Sequence, residues 1–451
     1  MLKRSLSLVH LVSFVMSMMI GSGVFYLGAY VLYVSDTSIL LSLIAWALAG
    51  VFSLLLALNY VELGMMFPRS GGTYVFLKEA YSQRLASIFG YTGFLLSGSG
   101  SIAALALAFA NLVKQVNPTL TTPSTLLASI LIITLTGLAM KNITQNAWVS
   151  LLITGAKVLG LGVVIVAGLS MGDVPLTMSL PSSWTWSGLI SMLAFASIVS
   201  LWAYEGWANL FSLGDEMSDN PKVVLWAILL GIGGVTLLYV LFHLAIYRSV
   251  PLLTLLENLG AGNLYFATLS MESLFGSVGA WFMNILMIVS IVGTLHAIIV
   301  IFPRVYYAMA QDGQFLKAAK EVNEQASPYK ATLLSMVMSM LLVFTFSLIE
   351  LTSFVVLQGL IYSALVILGL IILRIKKPDL PRPYKVFLYP ITPIVSIIFL
   401  GYFIYNTYLN DPRSALLGLI LPIGLWISLW WLGRKQKQAN LNCLLSSRQK
   451  N

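Results

Sequence analysis

The sequence predicts an all-α membrane protein of twelve transmembrane helices, the first and the sixth interrupted at matching places. Three observations carry that reading. Hydrophobic residues make up 59% of the 451 positions and charged residues 9%, against about a quarter charged in a soluble domain, so lipid is the solvent for most of the surface. The apolar residues come in long continuous runs such as 223–246 and 331–349, not in the ~10-residue alternating stretches of a membrane barrel. Two of the runs are broken near their middles by glycine, and those two lie five spans apart.

In chain order the spans read 5–34, 39–67, 85–112, 125–140, 147–170 and 186–212, then 223–247, 277–310, 329–348, 352–375, 389–410 and 414–432. Most reach the ~20 apolar residues a bilayer needs. The first run follows Lys3 and Arg4 but is longer than the about 7–15 residues of a secretory signal, so it reads as a span. The stretch 248–276 is the largest non-spanning segment on its side. Within it, 252–259 and 265–274 can form short helices lying over that face.

Threading the connections to alternate sides separates the basic residues. The N-terminus, the connections after spans 2, 4, 6, 8 and 10, and the tail carry 21 of the 25 Lys and Arg. The other side carries Lys114, Arg248 and Arg413, and Lys157 lies within span 5. The positive-inside rule then puts both termini in the cytoplasm of a multi-pass plasma-membrane protein, the inner membrane if the source is bacterial. The net charge of +9 is thereby read as topology rather than as a nucleic-acid surface. The single cysteine, Cys443, supports neither a disulfide framework nor a zinc or iron–sulfur site. No metal or cofactor is expected.

The two interruptions carry the chemistry. Span 1 contains Ile20-Gly21-Ser22-Gly23-Val24-Phe25, poor helix formers that also suit close helix packing. Span 6 contains Trp202-Ala203-Tyr204-Glu205-Gly206-Trp207. An acidic residue at that depth costs roughly 2.5–3.5 kcal/mol and persists where it faces a cavity or a partner, structural or functional. Five is odd, so a duplicated five-helix unit inserts upside down the second time, and the two breaks become equivalent and antiparallel. A broken helix offers free N–H groups with partial positive charge and free carbonyls with partial negative charge. Two such breaks crossed at the midplane suit a zwitterionic α-amino acid.

Four stretches resemble the amino acid–polyamine–organocation superfamily, and within it the L-type amino acid transporters and their bacterial relatives. They are Gly21-Ser22-Gly23-Val24-Phe25; Glu62-Leu63-Gly64 with Phe67-Pro68-Arg69-Ser70-Gly71-Gly72-Thr73-Tyr74; the run from Pro303 to Gly313; and the run from Lys377 to Val386. The resemblance covers most of the chain. It implies a LeuT-type fold: 1–171 as the first five-helix repeat, 172–376 as the second, inverted, 377–433 as spans 11 and 12, and 434–451 as a cytoplasmic tail.

The resemblance also implies roles. Ser22 and Gly23, with the amides after Gly21, hold the substrate carboxylate, and the Ile20 and Trp202 carbonyls are candidates for its amino group. Tyr204, Glu205, Gly206 and Trp207 line the side-chain pocket and the outer gate. Lys157 stands where sodium-coupled relatives bind an ion. By analogy it reaches the Gly21 region and Ser290 or Thr294, which argues against sodium coupling; an exchanger is expected, with proton-coupled symport of neutral amino acids as the alternative. Three roles remain open for Glu205: pairing with a cationic side chain, exchanging a proton in a symporter of neutral amino acids, or accepting an internal hydrogen bond. Glu62 reads as structural at the inner gate, and His296 as a hydrogen-bonded structural histidine.

The outer connection after span 3 has no cysteine, whereas animal relatives bind a glycoprotein heavy chain through one there. No disulfide-linked partner is expected, only an amino acid substrate and lipid. An intramembrane enzyme is disfavoured: H-E-x-x-H is absent, and Ser99 has no evident histidine partner. A channel is disfavoured by the lack of a ring-forming filter.

Overall fold

A computed structural model provides the fold, describing residues 2, 4–180, 185–410 and 420–428. The helices are α1 Leu8–Met19, α2 Gly23–Val34, α3 Ile39–Met66, α4 Thr73–Ala80, α5 Gln83–Thr92 and α6 Gly98–Val116. They continue as α7 Ser124–Ala139, α8 Ile143–Met171, α9 Trp186–Leu201, α10 Pro221–Ser249 and α11 Leu252–Gly260. The last are α12 Phe266–Ile301, α13 Pro303–Gln311, α14 Tyr329–Thr345, α15 Leu348–Lys376 and α16 Ile391–Asn410.

Among the described residues eight helical segments are long and apolar enough to cross a membrane, or nine with the bent α1–α2 pair taken as one. Helices α7 and α14 are apolar but shorter, 16 and 17 residues, which gives a rise of about 25 Å against ~30 Å of hydrocarbon. The chain is thus an all-helical, multi-pass membrane protein. Residues 420–428 belong to the expected twelfth span; the rest of that span, and Cys443, lie outside the described residues.

Local sequence sets the helix limits. Ser38, Ser82, Asn142 and Asn220 accept a backbone N–H of the first turn of α3, α5, α8 and α10, the N-cap arrangement that satisfies one orphan donor. Helices α5 and α6 form one span joined by a π-helical turn, Gly93–Ser97. The expected start of the eighth span at 277 falls directly after a kink within α12. Gly276 takes φ 60 and ψ −147 inside α12, a backbone that favours glycine. The short stretch before it, with α11, forms the pair of surface helices expected at 252–274.

Connections that the basic residues assign to one side do meet one another. The Ser5 and Leu6 amides donate to the Glu216 carbonyl, Arg4 pairs with Asp219, and Thr144 bonds Ser5. Asn142 bonds Gln325, Lys78 pairs with Asp312, and Lys377 with Glu79. We call this the terminal face. On the opposite face Arg248 donates to the Val174 carbonyl and Ser38 to that of Ser179. An uneven number of crossings between any two of these connections breaks this sorting.

Candidate functional site

Helix α1 stops at Met19 and α2 starts at Gly23 with its axis turned by 53°. Ile20, at φ −77 and ψ 79, carries the chain out of the helix. The second break is longer. After α9 comes a 3-10 turn, Trp202–Tyr204, then Glu205 in extended backbone at ψ 159 and Gly206 at φ 113, then a 3-10 stretch, Trp207–Ser212. Gly206 is required twice over. Its φ is left-handed, and a Cβ there lies 3.0 Å from the Met18 carbonyl oxygen.

The two breaks touch. A Cβ on Gly23 lies 3.2 Å from the Ala203 Cα and from the Trp202 ring. The buried Tyr239 hydroxyl of α10 reaches the Met19 carbonyl at 2.9 Å and the Ala203 carbonyl at 3.1 Å, one from each break. It has a single proton to share between them. No sequence signal marks Tyr239, one of 20 tyrosines in an otherwise ordinary apolar helix.

Lys157 is fully buried in α8. Its Nζ donates to the carbonyls of Ile20 (2.7 Å) and Ser17 (3.0 Å) and to Thr294 Oγ1 (3.1 Å). The Thr294 hydroxyl in turn lies 2.7 Å from the Ser17 carbonyl. The ammonium therefore meets the negative end of α1 and replaces its lost hydration with three oxygens. Ser290 is buried nearby, but only its carbonyl takes part, 3.1 Å from Thr294 Oγ1 and sharing that one hydroxyl proton with Ser17.

A cavity of about 540 Å³ lies between these breaks and the α6–α15 wall. Gly21, Ser22, Gly23, Trp202, Glu205 and Gly206 line it, and Thr294 reaches it. Of the first amides of α2, that of Phe25 donates to the Ser22 carbonyl at 3.1 Å, while those of Gly23 and Val24 have no described backbone acceptor, and Gly23 lies on this lining. Glu205 is exposed to the cavity, and among the described residues it forms no ion pair. The cavity reaches Asn111 and Gln115 at the end of α6 and Leu264 and Tyr265 between α11 and α12. It is therefore directed toward the face opposite Ser5 and Leu6.

Several expected lining residues stand elsewhere. The Ile20 side chain is buried, and its carbonyl accepts Lys157 and lies 3.1 Å from Thr294 Oγ1. The Trp202 carbonyl, expected beside it, takes only the weak 3.4 Å contact of the Glu205 amide among the described backbone groups. Tyr204 points behind the break and donates to the Trp46 carbonyl at 2.9 Å. Trp207 is buried and stands outside the cavity lining. It packs edge-on against Tyr60 at 5.1 Å, in an aromatic layer with Phe76 and Phe211 beneath the cavity.

Below that layer the terminal face is closed. The Gly71 amide donates to the Ser212 carbonyl (3.1 Å) and the Ser70 amide to Asp215 (3.1 Å). Arg304 is fully buried and paired with the equally buried Glu216. Glu62 is buried and accepts from Arg374 (2.9 and 2.5 Å) and the Val386 amide (2.6 Å). His296 bonds Asn146 at 3.0 Å.

The sequence profile described as amino acid permease matches residues 6–429. The chain is 28% identical over 448 residues to the serine/threonine exchanger SteT of Bacillus subtilis (strain 168), covering 97% of this chain and 98% of that one. It is 27% identical over 431 residues to the human large neutral amino acids transporter small subunit 2, covering 94% and 79%. It is 26% identical over 431 residues to the b(0,+)-type amino acid transporter 1 of Mus musculus, covering 94% and 86%. With that match running through both breaks and the cavity between them, the chain belongs to the amino acid permease family and is a membrane transporter of amino acids, not an enzyme.

Proposed function

We propose that the chain is a sodium-independent amino acid exchanger of twelve spans, built as two inverted five-helix repeats with two further helices, both termini being cytoplasmic. It favours substrates with cationic side chains. The observation that carries this is the meeting of two unwound segments at one cavity, with an ammonium seated on the carbonyl end of the first.

The packing supports the repeat. Taking α1–α2, α3, α5–α6, α7 and α8 as one half, and α9 with its 3-10 stretches, α10, α12, α14 and α15 as the other, contacts recur after exchange of halves. Helix α1 packs on α10 and α9 on α3; α8 on α12 and α15 on α6; α6 on α14 and α12 on α7. The two short helices, α7 and α14, are equivalent in this scheme. The basic terminal face, placed inside, supports cytoplasmic termini.

Lys157 supports sodium independence. Its charge occupies the Ser17, Ile20 and Thr294 oxygens that otherwise form a ligand set for a monovalent cation. The α2 amides and the Trp202 carbonyl suit the carboxylate and amino groups of the substrate. Glu205 then faces the side chain, with the Tyr60, Thr73 and Ser363 hydroxyls on the same cavity wall. A relative named as an exchanger over nearly its whole length supports exchange.

The test is uptake into proteoliposomes preloaded with single amino acids, with and without sodium and a pH gradient. Counterflow that is indifferent to both, and strongest for arginine or ornithine, is expected. Uptake that needs no internal substrate and follows the pH gradient replaces this reading with proton-coupled symport of neutral amino acids, Glu205 carrying the proton.

A further inference from the structure

The run from Lys377 to Val386 is singled out by the sequence, yet it lies far from the cavity. It belongs to the connection between two membrane-crossing helices, α15 ending at Lys376 and α16 beginning at Ile391, so it sits at the membrane surface. Its backbone is held unusually firmly for a connection. The buried Glu62 carboxylate takes Arg374 at one end of it and the Val386 amide near the other. Arg382 donates to the carbonyls of Pro378 (2.6 Å), Leu380 (2.9 Å) and Lys377 (3.0 Å). The Arg374 guanidinium also lies 3.8 Å over the Tyr389 ring.

This pinned segment displays two kinds of side chain together. Lys376, Lys377 and Lys385 are exposed. Lys377 has only the 3.8 Å contact with Glu79, and among the described residues Lys376 and Lys385 have no ion-pair partner. Asp379 is the exposed acid among them. Directly after come Phe387 and Leu388, 65% and 55% exposed, and then Ile391, 58% exposed. Leu388 has φ 52, a left-handed backbone that a non-glycine residue keeps only where its surroundings impose it. Sorting of charge to the cytoplasmic side accounts for the lysines. It does not account for a buried carboxylate spent on fixing their geometry, nor for bulky apolar side chains turned outward beside them.

We infer that residues 376–391 form a binding site for an anionic phospholipid. The lysine ammonium groups meet its phosphate, while Phe387, Leu388 and Ile391 enter the outer part of the acyl layer. Basic and apolar side chains paired at one membrane boundary match both parts of such a lipid, and a zwitterionic headgroup lacks the net charge. The inference is independent of which amino acid the cavity takes.

The experiment is thermal unfolding of the detergent-solubilised full chain titrated with phosphatidylglycerol, phosphatidylcholine or inorganic phosphate. Phosphatidylglycerol is expected to raise the midpoint more than phosphatidylcholine, with inorganic phosphate inert. In the Lys376→Gln, Lys377→Gln, Lys385→Gln triple variant that difference disappears. Lys385→Gln alone, which breaks no described ion pair, weakens the apparent lipid affinity about fivefold. Equal midpoints with the two lipids overturn the site. So does a triple variant that keeps the phosphatidylglycerol effect, or inorganic phosphate reproducing it.

Discussion

Glu205 stands in the second break and Lys157 on the end of the first, and their surroundings differ. Lys157 is enclosed and fully bonded to Ser17, Ile20 and Thr294; Glu205 faces open cavity. The first is part of the frame, the second is available to a substrate. In Glu205→Gln, arginine and ornithine uptake should fall roughly 10–100-fold, the worth of a charge-assisted hydrogen bond of ~1.5–3 kcal/mol. Uptake of a neutral amino acid should change little. Competition by unlabelled amino acids measures both, and an unaltered arginine preference removes the cationic reading. Lys157→Ala strips three oxygens of their donor. Exchange should drop by on the order of tenfold or more, and residual uptake should become sensitive to sodium, which paired assays in sodium and choline buffers will read.

At the scale of the element, the interruptions are what the sequence shows best. Gly21, Ser22 and Gly23 mark the first break and Glu205-Gly206 the second, because few residue types tolerate such backbone inside a membrane helix. Gly206→Ala should cost about 1–3 kcal/mol locally through its φ of 113 and its contact with Met18. Transport should be largely lost while the protein still folds, as seen by uptake against thermal midpoint. Orientation within an element was less legible. Tyr204 and Trp207 flank Glu205 in the sequence, but the backbone reverses at Gly206, so their rings leave on other sides and pack on Trp46 and Tyr60. No periodicity survives through an unwound segment to forecast that. The turn at Gly276 was legible as well: the expected span begins at 277, directly after the residue whose φ of 60 makes the kink.

For the whole molecule, closure at one face and access at the other define a conformational state with the cavity directed away from the face that carries Ser5 and Leu6. The fully buried Arg304–Glu216 pair sits within the closed face, beneath the Tyr60–Trp207–Phe211 layer. Removing one partner of a buried ion pair costs roughly 3–5 kcal/mol. Glu216→Gln should therefore open this face and shift the population toward the opposite state. The single cysteine, Cys443, makes this straightforward to follow. With Cys443→Ser as background, Ser212→Cys should resist an impermeant thiol reagent applied from the terminal side, and become reactive once Glu216→Gln is added. Equal protection in both proteins would show that the pair does not hold the face shut.

Composition and run length determined by themselves that the chain is helical and resides in a membrane. These follow from solvation, which acts on each residue according to its own polarity. The positions of the two breaks were equally readable, since backbone tolerance is also a property of single residues. Only the tertiary structure decided that Tyr239 joins both breaks, that the Ile20 carbonyl is taken by Lys157, and that Arg304 finds Glu216. Each is a pairing between groups distant along the chain, 88 positions for Arg304 and Glu216 and 137 for Lys157 and Ile20. Which partners meet is fixed by the packing of whole helices, for which the local order of residues holds no record.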